Sequence, residues 1–574
     1  MALKRLIVIK SSLVNIKKLK PVVIAMILSF PSLGVQAAAI DAGSILQQIK
    51  PTIPEMPTRV PSLNIDKSST PGDDKSTPAA VQKTLFVKTI VITGNTKIDT
   101  TTLHHLVAQY EGKNNTVAEL KEMTGIITDY YHSKGYPLAL TILPRQNMQG
   151  GVLTIEIVEA KYSKVNLINS SLVNSSLLQS KLSPLIGGDV VNQADLDHQL
   201  MLLSDIPGVI VNVTLKSGAE VGSSDLDVST TPSQSWFGNV AIDNFGNSYT
   251  GRPRVSGSIN KVDPFGFGLG DILSLNGLSS GSDLNYGRVA YESVLNGYGT
   301  RAGTSYSALH YKLGGSAAAS NSEGNAEVAE VWVKHPLMRT RNINLYGQLK
   351  LDQLTLRDHR LNSTSNSDRS LINGAVVFNG DLRESALLGG VETFEVGLTS
   401  GSVNNLDFVG TTDLANIKGS FSKLNINVTA LQRLTESNSA FLLVSTQFAS
   451  KNLDPSQKMI VGGTNTVRAY DSGSISGDSG YLVSAELRHD LGEFYGKWNG
   501  TLFVDGARVT VNTNVISPGS NNAATLMGVG AGVNWFGTNN YTASAYLATP
   551  IGSTPVIVAT QNSARLWVEM GKRF

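Results

Sequence analysis

From Trp236 to the terminal Phe574 the chain alternates apolar and polar residues with a period of two, in sixteen segments separated by turn-rich connections. Period two is the repeat of a β-strand whose faces meet different surroundings. Ile343, Leu345, Gly347, Leu349 and Leu351 alternate with Asn342, Asn344, Tyr346, Gln348, Lys350 and Asp352. Leu424, Ile426, Val428 and Ala430 alternate with Lys423, Asn425, Asn427 and Thr429, and Leu566, Val568, Met570 and Phe574 with Arg565, Trp567, Glu569 and Arg573. A soluble sandwich would bury one face in a core and carry similar loops at both ends. Here the second face stays polar throughout, and the connections alternate in length. They are mostly long after odd segments (313–325, 355–368, 401–416, 451–479, 510–524) and shorter after even ones (337–340, 433–438, 537–539). Apolar-out, polar-in segments of about ten residues describe an outer-membrane barrel. Lipid cannot satisfy backbone polar groups, so such strands must close on themselves. The expected fold is a transmembrane β-barrel of sixteen antiparallel strands over 232–574.

The preceding residues divide by composition. Lys4, Arg5, Lys10, Lys17, Lys18 and Lys20 lead into an apolar run at 21–33 and small-residue cleavage sites near Ala37 and Ala39, an export signal over 1–39. That run falls short of the ~20 residues a helical span requires. Residues 40–50 predict a short helix with Asp41 as N-cap, Ile45, Leu46 and Ile49 on one stripe, and Pro51 as its stop. Six prolines and several Ser and Thr make 51–84 an extended linker. Two small α+β units follow, 85–160 and 161–231, each in the order β-α-α-β-β.

Composition removes several functions. With no cysteine there is no disulfide framework, thiol catalysis or cysteine-ligated metal. A net charge of +2 argues against a nucleic-acid partner. Neither α+β unit carries a carboxylate cluster, a Ser/His/Asp set or a metal-ligand spacing, and the adjacent His104 and His105 face different ways on a helix. No enzyme activity, cofactor or metal is expected.

Parity then orients the barrel. With the α+β units in the periplasm, odd connections point outward, and 451–479, after the eleventh strand, is the sixth surface loop. Connections longer than ~15 residues are uncommon unless functional or disordered. This one carries Gly462-Gly463 and Val467-Arg468-Ala469-Tyr470, and reads as a tip meant to pack. On the thirteenth strand Leu502 and Val504 share the lipid parity, so Thr501, Phe503, Asp505 and Ala507 face the lumen. An arginine on a folded-in loop would meet that inner carboxylate in a charge-assisted, bidentate bond. The expectation is that Arg468 and Asp505 hold loop six inside the barrel. The chain ends on the periplasmic side at Phe574, an aromatic terminus of the kind the assembly machinery of such barrels commonly requires.

These residues carry a family resemblance. Val467-Arg468-Ala469-Tyr470 matches a Val-Arg-Gly-Tyr loop motif, and Phe503-Val504-Asp505-Gly506 a Phe-x-Asp-x-Gly strand motif. Residues 42–48 of the leading helix and Leu143-Pro144-Arg145-Gln146 of the first unit are similar too. The chain thereby resembles a two-partner-secretion transporter, the TpsB branch of the BamA-like superfamily, which includes haemolysin and filamentous-adhesin secretors. It departs at Ala469, where glycine is usual, and at Gly506, which is offset, so Phe503 and Asp505 carry over securely. The resemblance implies two POTRA modules, a sixteen-stranded barrel, an N-terminal helix plugging the pore and loop six reaching inward. It implies secretion of one large exoprotein (adhesin, cytolysin or haem-acquisition protein) bound through the POTRA modules. The alternative is a factor that inserts other barrels, whose relatives usually carry more periplasmic modules and lack the leading helix and linker.

Overall fold

The computed structural model describes residues 40–49, 62–65, 84–360, 366–383, 390–409, 413–558 and 563–574. The expected export signal and most of the linker lie outside the described residues.

Sixteen antiparallel strands, from Trp236–Asp243 to Arg565–Arg573, form a closed barrel in which each pairs with its chain neighbour and the last pairs back to the first. Closure follows from the physics of the lipid face: Leu349, Leu351, Leu502, Leu547 and Leu566 point outward, and a backbone beside them has no water to bond. On the thirteenth strand, Gly496–Thr510, the buried positions are Thr501, Phe503, Asp505, Ala507 and Val509. Trp236, Phe494, Tyr495, Phe536 and Phe574 are exposed at one rim, an aromatic girdle at the membrane interface.

Four strands run further than the alternation predicts. Ser322–Arg339, Ile343–Arg360, Asn366–Arg383 and Gly390–Val409 have 18 to 20 residues, against the expected 326–336, 341–354, 369–381 and 391–400. Their outer ends stand above the lipid, where the outward face turns polar and the inward face carries Leu354, Leu356 and Leu371, so the membrane pattern is lost while the backbone ladder continues. Glu323 still pairs with His359 and Asn325 with Arg357.

In the first α+β module, Thr89–Thr93, Val152–Val158 and Leu140–Ile142 form a sheet. The helices Thr100–Val107 and Val117–Ser133 cover it through Leu103, Val107, Leu120, Met123, Ile127 and Tyr131. The longer helix begins in a reciprocal cap between Thr116 and Glu119. The run Phe86-Val87-Lys88-Thr89-Ile90-Val91-Ile92 reads in the sequence as one strand, but it is broken at Lys88, and Thr84–Val87 pairs with Lys113–Thr116.

The second module repeats the plan with helices Ser175–Leu182 and Gln193–Ser204 over a four-stranded sheet. One of its strands comes from the linker: Ser62–Ile65 lies parallel to Val209–Ser217 at the sheet edge. Composition concealed this, because a parallel edge strand is held by main-chain bonds and needs no apolar run.

Three even-numbered turns of the barrel hold this module. The Arg339 guanidinium, 2% exposed, donates to both carboxylate oxygens of Asp205 at 2.7 and 2.8 Å, and Arg341 does the same to Asp197. Asn174 donates its backbone N–H to Gly268 O, and Lys181 Nζ to Asn296 O at 3.2 Å. Burial pulls the Lys181 ammonium down to about 8, with Asp205 opposing the shift. The module therefore sits at the even-turn rim, opposite the long odd connections.

Candidate functional site

Loop six is built to enter the lumen. Its base is closed by Asp478, fully buried, which accepts from Leu453 N and Thr513 N and pairs with Lys458. Above that base the segment is more ordered than a plain connection: a 3-10 turn at Pro455–Gln457 precedes a small hairpin of Met459–Val461 with Ile475–Gly477. Gly462 and Gly463 then adopt φ of 106° and 107°, a region unfavourable to side chains, and start the tip. The tip closes on itself through Gly463 N to Tyr470 O and Tyr470 N to Val467 O.

The structure brings Arg468 and Asp505 together. Arg468 Nε and Nη2 donate to the two carboxylate oxygens of Asp505 at 2.9 and 2.8 Å, and the Arg468 backbone N–H adds a third bond at 3.0 Å. Nη1 reaches Glu486 at 2.7 Å, Nη2 reaches Ser484, and Ser484 Oγ donates to Asp505. The guanidinium stacks 3.4 Å from the Phe503 ring centroid. Asp505 is 0% and Arg468 5% exposed, so the bond is desolvated and its network nearly saturated. Val467 and Tyr470, both fully buried, pack with Ile475, Leu482, Ala507 and Leu526. Strand parity turns Phe503 and Asp505 inward and the folded-in loop supplies Arg468, whereas Val467 and Tyr470 enter through the loop-tip motif. Glu486 and Ser484 are not among the residues so found; their inward parity on the neighbouring strand was the available signal.

Ala469 occupies the motif's usual glycine position without positive φ, and the facing wall accommodates it. An ideal Cβ on Gly528 would stand 2.5 Å from the Ala469 Cβ. Gly528→Val is therefore expected to push the tip off the wall, seen as rapid protease cleavage within 462–474 of a barrel that stays folded. Wild-type cleavage would show that the tip does not bear on Gly528.

The leading helix, Ala42–Gln48, lies inside the barrel. Asp41 caps it reciprocally with Ser44, and Ile45, Leu46 and Ile49 pack against Leu309, Tyr311, Leu354, Leu356, Leu371 and Phe421 of the inner wall. This apolar berth contradicts a lumen polar throughout; its signal was the inward parity of Leu309, Tyr311, Leu354 and Leu356 at the outer strand ends. The helix also touches loop six. Arg369, 5% exposed, is paired at 2.9–3.0 Å with three carboxylates: Asp41 of the helix, Asp358 of the wall and Asp454 of the loop. Asp358 accepts from Ala42 N and from Tyr311, and Gln47 donates to Ser456 O. One guanidinium thus joins helix, wall and loop.

Phe574 stands at the even-turn rim, where it exchanges two backbone hydrogen bonds with Gly238 of the first strand. Among the described residues no His, Asp or Glu cluster could hold a metal ion.

The description "Haemolysin secretion/activation protein ShlB/FhaC/HecB" matches residues 222–535, and that of the ShlB-type POTRA domain matches 85–160. The chain belongs to the ShlB/FhaC/HecB family. It is similar to the heme/hemopexin transporter protein HuxB of Haemophilus influenzae, 27% identical over 84% of this chain and 85% of that one. It is also similar to the outer membrane transporter CdiB of Escherichia coli, 23% identical over 81% and 79% of the two chains. The solved structure of CdiB from Escherichia coli shares the fold, with a TM-score of 0.68 at 20% identity over 88% of this chain and 93% of that one. As a ShlB/FhaC/HecB protein, the chain is an outer-membrane transporter of the two-partner-secretion type, with its POTRA modules in the periplasm.

Proposed function

We propose that this transporter secretes one large β-rich exoprotein, and that its resting lumen is closed by the leading helix as a plug and by loop six held through Arg468 and Asp505. The observation that carries this reading is the desolvated Arg468–Asp505 bond, which fixes a surface loop deep against the inner wall. A client in extended form would pair with sheet edges of the periplasmic modules, main-chain bonds giving affinity and side-chain pockets selectivity. The parallel strand Ser62–Ile65 supports this, since it is an extended segment already seated on such an edge. Among adhesin, cytolysin and haem-acquisition clients, the likeness to a heme/hemopexin transporter favours the last. The protein acts as a passage rather than an enzyme, driven by client folding outside. Phe574, at the end of the closing strand, serves as the signal read by the barrel-assembly machinery. Outer-membrane lipid is the partner of the outward Leu and aromatic residues.

The test is deletion and complementation, with surface display of a co-expressed β-helical client measured beside the outer-membrane protein profile. Loss of that single client with an unchanged profile is expected. Broad loss of outer-membrane proteins would point to barrel assembly and contradict the proposal.

A further inference from the structure

The barrel's closing seam is short. The first and last strands share five registered pairs, Asn239 with Arg573 through Asp243 with Glu569, whereas each shares eight with its other neighbour. Beyond Asp243 the first strand ends. Asn244 donates its N–H to Val568 O, and its side chain bonds Val568 N and Leu566 O, after which the chain turns away. The outer end of the last strand, 565–567, thus has no strand beside it on the seam side.

Loop six fills that place from within. Trp567 Nε1 donates to Arg468 O at 2.7 Å, and Ser472 Oγ donates to Phe245 O at 2.6 Å. The Phe245 and Trp567 rings meet edge to face across the seam. At the centre, Asp471 takes two cations from opposite sides. Arg252, on the connection after the first strand, binds both its oxygens at 2.5 and 3.0 Å, and Arg565 of the last strand pairs with it at 2.5 Å. Without that carboxylate two guanidinium groups would face each other across the gap.

The geometry points to Asp471 as a positioning residue through which the seated loop clasps the outer half of the seam. Lifting loop six therefore frees the first strand from the last, whereas loss of Asp471 alone frees the seam and leaves the loop held by Arg468 and Asp505. This inference rests on loop six being seated by Arg468 and Asp505, and it adds what that seating does to the wall. A client that displaces the loop would then meet a barrel able to widen at its shortest junction.

Hydrogen exchange of the full-length protein in phosphatidylethanolamine/phosphatidylglycerol nanodiscs tests it. In Asp471→Asn, exchange at 565–568 and 244–252 is expected to rise on the order of tenfold, as local opening of a segment with few remaining bonds requires. The loop-six hairpin at 459–461 and 475–477 keeps its wild-type rate. Arg252→Gln, which removes one arm, should give a smaller rise confined to 244–252. Unchanged exchange at 565–568 in Asp471→Asn overturns the clasp. A uniform rise through loop six and seam together also overturns it, since Asp471 would then merely anchor the loop. Fast exchange at 459–461 in the wild type would instead reject the seated loop itself.

Discussion

Replacing Arg468 with alanine is expected to stop secretion of the client while the barrel still assembles in the outer membrane. The substitution removes four side-chain hydrogen bonds and the Phe503 stack at once, and it leaves Asp505, whose side chain is 0% exposed, without a cation. Breaking one partner of a desolvated pair costs about 3–5 kcal/mol, which shifts the seated population of the loop more than about a hundredfold. Folding of the barrel is insulated because its ladder of sixteen strands does not include the tip. The conservative Arg468→Lys keeps a charge but loses the planar fork that meets both Asp505 oxygens, so an intermediate defect is expected. Client in the medium, read beside the heat-modifiable mobility of the barrel, separates these outcomes. Secretion at the wild-type rate from Arg468→Ala would reject the role given to loop six.

Removal of residues 42–49 is expected to raise single-channel conductance several-fold in planar bilayers without abolishing transport. The helix buries Ala42, Ile45, Leu46 and Ile49 against the inner wall, and this apolar contact is its main hold. Charge adds position: Arg369 binds Asp41, Asp358 and Asp454 together, so Arg369→Gln should loosen the helix in part and give flickering openings. Unchanged conductance in the deletion would remove the plug assignment.

Much of this was legible because two signals are local. Period two persists through every membrane-spanning strand, since lipid on one side and a polar lumen on the other act on each residue in turn, and it brought Phe503 and Asp505 inward. The tip sequence 467–470 stands in a connection too long to be a plain turn. What stayed hidden depends on partners distant in sequence. Arg369 looks like an ordinary lumen cation until Asp41, Asp358 and Asp454 arrive from three other elements. Leu354 and Leu356 sit where the apolar residues switch from the outward to the inward face, so that face was not read as a berth for the leading helix. Ser62–Ile65 joins its sheet through backbone bonds, which leave little trace in composition. Glu486 and Ser484 were hidden by the same distance, although their strand parity matched.

A side-chain-resolution density map of the wild-type transporter in lipid nanodiscs tests the central claim most directly. It should show the Arg468 guanidinium forked onto Asp505 and stacked on Phe503, with the tip inside a sixteen-stranded wall. A map with Arg468 in bulk solvent, remote from Asp505, would contradict the account.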